Sequence, residues 1–199
     1  MIVVGIAGQI ACGKSEVARV FAQMGATVIS ADQIGREVIE SDAAIGQRLA
    51  RAFGDRILTS TGRMRRRELG RIAFASPENL DKLNRIVHPR LVSRLRRLIK
   101  QHRRQGKTKI LVIDAALILS WELEDELDLL IVVESTVANQ LARLHQAKLT
   151  PAEISQRMRR QMPKYRQREL ADLVIRNNGT LAELQAKARR LCKNLLEFS

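Results

Sequence analysis

At 199 residues the chain is long enough for one full domain that buries most of its apolar surface. With 45% hydrophobic and 28% charged residues it reads as globular, and aromatics at 3% leave the core to Leu, Ile, Val and Ala. No apolar run approaches the ~20 residues that span a bilayer, no basic leader precedes the first apolar run, and two distant cysteines make no disulfide framework. The expected setting is the cytoplasm, away from membranes. The net charge of +14 asks for a polyanionic partner, either nucleic acid or a small ligand carrying several phosphates. Composition alone does not choose between them.

In chain order, Ile2–Ala7 is a near-continuous apolar run, as expected of a strand buried on both faces. Gly8-Gln9-Ile10-Ala11-Cys12-Gly13-Lys14-Ser15 follows and satisfies the phosphate-loop pattern at each fixed position. Glycines let successive backbone N–H groups turn inward on phosphates, and the helix that the loop opens, predicted over 15–24, adds donors and a favourable dipole. Lys14 would then bridge the β- and γ-phosphates of ATP and the Ser15 hydroxyl would hold Mg²⁺. Cys12 has two readings: a thiol activated by the helix terminus and Lys14, or a small residue that fits. Gly25 stands where a helix-ending glycine belongs.

Thr27–Ser30 is a second strand, and Ser30 with Gln33 has capping-box spacing for the helix that follows. Asp32, in that first turn, is either a general base for an acceptor hydroxyl or a carboxylate serving the helix dipole and pairing with Arg36. From 40 to 106 only helical patterns occur, which predicts an inserted helical lobe. His88 within it has no second His or Cys placed to share a metal.

A third strand over 109–113 leads to Asp114, where a carboxylate reaching Mg²⁺ through water belongs. The acidic stretch Glu122, Glu124, Asp125, Glu126 and Asp128 reads as a solvated face. A fourth strand over 129–133 precedes a helix bearing Arg143. Thr150-Pro151-Ala152-Glu153 opens a further helix with Arg157, Arg159, Arg160, Gln161 and Lys164 on or just past it, a concentration of cations suited to a lid over a γ-phosphate. Leu173–Arg176 is the fifth strand, and Thr180 with Glu183 caps the last helix. Strands alternating with helices predict a parallel sheet.

These motifs, in this order, resemble the dephospho-CoA kinase family over almost the whole chain. Ser30-Ala31-Asp32 is similar to the family's Asp-Ala-Asp segment, Gly62-Arg63-Met64-Arg65-Arg66 to its substrate lobe, and Val87-His88-Pro89 to its His-Pro step. Leu117-Ile118 resembles the end of its Pro-Leu-Leu motif, while 140–144 and Arg157-Met158-x-x-Gln161 resemble its lid. Ala171-Asp172 through Asn177-Asn178-Gly179 resembles its closing signature.

The resemblance implies a P-loop kinase fold with a five-stranded parallel sheet, a CoA-binding lobe at about 40–106 and a lid at about 143–168. It implies phosphorylation of the ribose 3′-hydroxyl of dephospho-CoA by ATP with Mg²⁺, and no nucleic acid. Asp32 would be the base, with Lys14 and Arg143 on the γ-phosphate and Arg36, Arg66 and His88 on the acceptor side. Gly8, Ala11, Cys12, Gly13, Lys14, Ser15 and Glu16, with Arg157 and Asn177, would contact the nucleotide, and Ser15 and Asp114 the metal.

The chain also departs from that pattern. Gln9, Ala11, Cys12 and Glu16 replace Gly, Gly, Ser and Thr, Ala116 replaces Pro, and Ala147 replaces a second lid arginine. Should the glycine replaced by Ala11 serve a positive φ, Ala11 carries strain of about 1 kcal/mol. A kinase for another small hydroxyl, or a catalytically weak nucleotide- or RNA-binding relative, stand as the alternatives.

Overall fold

The computed structural model describes residues 1–121, 123–146, 154, 158 and 161–197. Contacts divide the chain into two compact units, residues 1–30 with 99–199, and residues 31–98.

The first unit is built on a five-stranded parallel sheet of order β2-β3-β1-β4-β5. The strands are β1 (Ile2–Ala7), β2 (Thr27–Ser30), β3 (Ile110–Asp114), β4 (Leu129–Glu134) and β5 (Leu173–Arg176). The runs of β1, β3 and β4 lack alternation because these strands are buried on both faces, while β5 at the sheet edge is largely exposed. Helix α1 (Lys14–Gln23) and the C-terminal helix Leu181–Glu197 pack on one another. Val4, Ile6, Val17, Phe21, Ile131, Val133, Leu184 and Cys192 form the core cluster between them and the sheet. Fully burying a side chain such as Phe21 or Ile131 stabilises by about 1.5–3 kcal/mol.

Register sets where the chemistry falls. Asp114 pairs with both Ile6 and Ser30, so β1, β2 and β3 end side by side and the loop after β1 rises from that shared end. Asp114 is therefore the last residue of β3 and ends the third strand as the sequence indicates, while the strand starts at Ile110 rather than at Lys109.

Among the described residues the second unit holds α2 (Ala31–Ser41), α3 (Ala43–Phe53), α4 (Arg66–Ala73) and most of α5 (Pro77–Gln105). Asp42 caps α3 by accepting from the N–H groups of Ala44 and Ile45 at 3.1 and 3.2 Å. A Cβ on Gly35 would lie 3.2 Å from Leu91, so α2 and α5 pack closely there. The helical reading of this stretch misses one isolated antiparallel bridge, Leu58 with Met64, which closes a tight loop. Contacts draw this unit at 31–98, against the 40–106 suggested by the loss of strand pattern, because α5 runs unbroken through Pro89 into the sheet-bearing unit.

Three further described helices complete the first unit: α6 (Val137–Gln146), α7 (Lys164–Leu170) and the C-terminal one, α8 (Leu181–Glu197). The hydroxyl of Thr180 accepts from Glu183 N–H at 3.2 Å at the start of α8, as its cap spacing predicts. Among the described residues no helix is long and apolar enough to cross a membrane.

Candidate active site

Between β1 and α1 the backbone takes three left-handed turns, at Gly8 (φ 141°), Ala11 (φ 56°) and Gly13 (φ 105°). Two of them demand glycine twice over. A Cβ on Gly8 would lie 2.2 Å from the Val133 carbonyl oxygen, and one on Gly13 would lie 2.5 Å from Asn177 Nδ2. Ala11 carries its positive φ with a side chain, at a cost of about 1–2 kcal/mol. Among the described residues it is the one non-glycine in that region.

Side chains hold the loop open from behind by gripping its carbonyls. Lys14 Nζ donates to Gln9 O (3.4 Å), Gln140 Nε2 to Ile10 O (2.7 Å), Arg143 to Ala11 O (2.9 Å) and Asn177 Nδ2 to Cys12 O (2.8 Å). Because Gln140, Arg143 and Asn177 hold the carbonyls of Ile10, Ala11 and Cys12, the N–H groups of the same peptides face the opposite way; that of Cys12 donates to Gln9 O at 3.3 Å, and the first N–H groups of α1 have no helical acceptor. The result is a cradle of donors at a positive helix end, with Lys14 beside it.

The braces are themselves braced. Arg143 also donates to Asn177 O (3.3 Å) and Ser135 Oγ (3.4 Å), and Ser135 Oγ donates to Asn177 O (2.7 Å). Buried Glu134, at the end of β4, accepts two bonds from Arg168 (2.6 and 2.8 Å) and one from Arg176 (3.2 Å). Arg168 holds its carboxyl below the usual range.

Gln140 is fully buried, and its Oε1 has no partner among the described residues. An orphaned buried acceptor costs about 1–3 kcal/mol, so the grip on Ile10 is kept against a penalty. Sequence reasoning placed Gln140 in the lid-like stretch 140–144 and gave it no bond to the loop. A signal was present: Gln140 stands one helical turn before Leu144 on the buried face of α6, where an apolar residue is expected.

Two loop residues behave otherwise than their neighbours suggested. Cys12 is fully buried in the core, and desolvation pushes its thiol above the ordinary value despite Lys14 nearby, so the activated reading is overturned. Glu16 turns away to Arg19 (2.9 Å) and to Gln185 on α8 (2.6 Å), which hold its carboxyl at about 2.

For a metal, the first unit offers the exposed Ser15 hydroxyl and the Asp114 carboxylate. No cluster of three metal-ligating side chains exists among the described residues. Such a sparse donor set fits Mg²⁺, which takes one or two protein ligands and completes its octahedron with phosphate oxygens and water.

A family model described as dephospho-CoA kinase matches residues 2–183. The chain belongs to the dephospho-CoA kinase family. It is 38% identical over 196 residues to a dephospho-CoA kinase of Thermobifida fusca, covering 98% of this chain and 96% of that one. A Corynebacterium glutamicum dephospho-CoA kinase is 34% identical, covering 98% of both chains. Among solved structures, one from Thermus thermophilus superposes with a TM-score of 0.76 at 28% identity, over 100% of this chain and 98% of that one. A Campylobacter jejuni dephospho-CoA kinase, at 21% identity and a TM-score of 0.74 over 98% and 97% of the two chains, shares the fold.

The structure brings Ala11, Cys12, Lys14, Arg143 and Asn177 together through hydrogen bonds on the loop, with Gly8 close against Val133 and Gly13 close against Asn177. Asp32, Arg36, Arg66 and His88 all fall in the unit 31–98. Asp32 and Arg36 are exposed and make no ion pair with each other, so the pairing expected from their spacing is absent. Arg66 pairs with Glu40 at 3.0 Å. His88 is half-buried, and desolvation lowers its pKa. Arg157, Arg159, Arg160, Ala147, Glu122 and the Thr150 cap lie outside the described residues.

Proposed function

We propose that the chain transfers the γ-phosphoryl group of ATP to the ribose 3′-hydroxyl of dephospho-CoA, giving coenzyme A and ADP. The observation that carries this reading is the braced phosphate loop, in a chain whose family match runs from residue 2 to 183.

The loop N–H groups and Lys14 hold the β- and γ-phosphates, and the α1 terminus adds its dipole. Ser15, and Asp114 through water, would hold Mg²⁺, which would neutralise charge on the phosphates. Asp32 takes the proton of the attacking hydroxyl; an exposed carboxylate without an ion pair among the described residues is suited to accept it. Arg36, Arg66 and His88 bind the acceptor within the unit 31–98, and Arg66 leaves Glu40 to do so. Arg143 supports the γ-phosphate chiefly by fixing the carbonyls of Ala11 and Asn177. Asn177, through Cys12 O, supports the nucleotide in the same way, and Glu16 serves the loop only by anchoring α1 to α8. Arg157 completes the donor site from the lid. The excess charge of +14 serves two polyphosphate substrates and calls for no nucleic acid. Free, buried Cys12 and Cys192 suit the proposed cytoplasmic setting.

The test is to incubate purified protein with Mg-ATP and dephospho-CoA and to follow coenzyme A. Formation is expected, and Lys14→Ala should abolish it. A folded protein that binds ATP yet makes no coenzyme A removes the acceptor assignment.

A further inference from the structure

The peptide that joins Gln9 to Ile10 is held at both of its polar ends. Its carbonyl, Gln9 O, accepts from Lys14 Nζ at 3.4 Å and from the Cys12 N–H at 3.3 Å. Its N–H, on Ile10, points the other way and donates to Gln161 Oε1 at 2.8 Å. Gln161 stands 151 residues after Ile10, just before α7. Beside that bond Gln9 Nε2 donates to Met162 O at 3.3 Å, a carbonyl that also accepts from buried Gln167 at 2.8 Å. The segment that follows has anchors of its own, from Lys164 to Ser135 O and from Arg168 to Glu134.

The bond lengths decide which end sets this peptide. Contacts of 3.3 and 3.4 Å lie beyond the usual range for an N–H donor, whereas 2.8 Å is a full-strength bond. A trans amide is planar, so fixing its N–H aims its carbonyl in the opposite direction. A bond donated by the N–H also polarises the amide and makes its carbonyl a better acceptor. Lys14 has three donors, so one can stay on Gln9 O while the others meet phosphate oxygens.

We propose that Gln161 is a positioning residue for Lys14: by holding the Ile10 N–H it sets the Gln9–Ile10 peptide and aims the Gln9 carbonyl at the Lys14 ammonium. The ammonium sits on a flexible four-carbon stem, and a carbonyl fixed beside the loop keeps it there. Less of its freedom is then lost when the β- and γ-phosphates arrive. Gln9 steadies the same peptide through Met162 O, a contact that a glycine at this place cannot make. The anchors of α7 run to Ser135 and Glu134 rather than to the loop, so removing the Gln161 bond leaves that helix in place. The inference rests on reading Lys14 as the lysine that meets the donor's phosphates, and its test separates the two.

Calorimetry of a non-hydrolysable ATP analogue on the full chain tests the coupling as a double-mutant cycle. Gln161→Met keeps length and removes the acceptor. It should weaken the analogue about threefold to tenfold, the factor for one neutral hydrogen bond. In a Lys14→Met background the same change should cost nothing further, because the side chain it positions is gone. Steady-state kinetics give a second reading: Gln161→Met should raise the KM for ATP by the same factor and leave that for dephospho-CoA unchanged. Gln9→Met, which removes the neighbouring tie, should act in the same direction but less. Unchanged analogue binding by folded Gln161→Met, or equal losses in the two backgrounds, overturns the inference while leaving the phosphate loop intact. A rise in both KM values together marks a general loosening and overturns it as well. Analogue binding that Lys14→Met leaves unaltered removes the role of Lys14, and the inference with it.

Discussion

Around the phosphate loop the polar partners are backbone oxygens and buried amides, whereas in the unit 31–98 charged side chains pair with one another in water. Arg90 meets Asp42 at 2.6 Å and Arg94 meets Glu37 at 3.1 Å, with both arginines about half exposed. Pairs of that kind are worth about 0–1 kcal/mol. The loop's grips instead satisfy backbone carbonyls, and one of them leaves a buried amide oxygen without a partner among the described residues. The donor side is thus built in advance, at an energetic cost, while the proposed acceptor side keeps its cations solvated and exchangeable. Rigid N–H groups suit the phosphates that are common to every turnover; loosely held arginines suit a larger ligand that enters and leaves.

The largest test of that contrast is Asp32→Asn, which should lower turnover by about 10²–10⁴ while ATP still binds. Single-turnover kinetics beside nucleotide titration would read it, and a near-normal rate would take Asp32 out of the chemistry. Next comes Gly8→Ala. Its Cβ meets the Val133 oxygen at a position with φ 141°, so a loss of about 2–5 kcal/mol is expected by denaturant titration. Ala11→Gly works in the opposite direction: relief at φ 56° outweighs the added chain entropy and should raise stability by about 0.5–1 kcal/mol. The smallest effect belongs to Arg94→Ala, expected within about 0.5 kcal/mol by the same titration. A loss above 2 kcal/mol there would mean that the unit 31–98 also rests on its ion pairs, and the contrast would fail.

The loop itself was legible because Gly8, Gly13, Lys14 and Ser15 are neighbours in sequence, and the strain at Ala11 followed from its departure from the family pattern. The strand alternation likewise declared the sheet, since a strand buried on both faces writes an unbroken apolar run. What stayed hidden depends on sequence-distant pairing. Ser135 and the Glu134–Arg168 pair carry no local motif, the lid-like stretch 140–144 does not say what Gln140 holds, and only the folded sheet brings these groups to the loop. Cys12 misled for a related reason: proximity to Lys14 suggested an activated thiol, but burial in the core outweighs that charge. The bridge at Leu58 and Met64 was illegible because two residues make no periodic pattern.

The braces also bear on how the protein is made. Residues 8–15 leave the ribosome well before the groups that hold their carbonyls, which arrive from Gln140, Arg143 and Asn177, the last of them 165 residues after its partner Cys12. Contacts so far apart are among the slower ones to form, and synthesis supplies them last. A nascent chain halted before Asn177 therefore carries the complete phosphate-loop motif without its finished shape, and gains its grip on nucleotide only as the fifth strand takes its place.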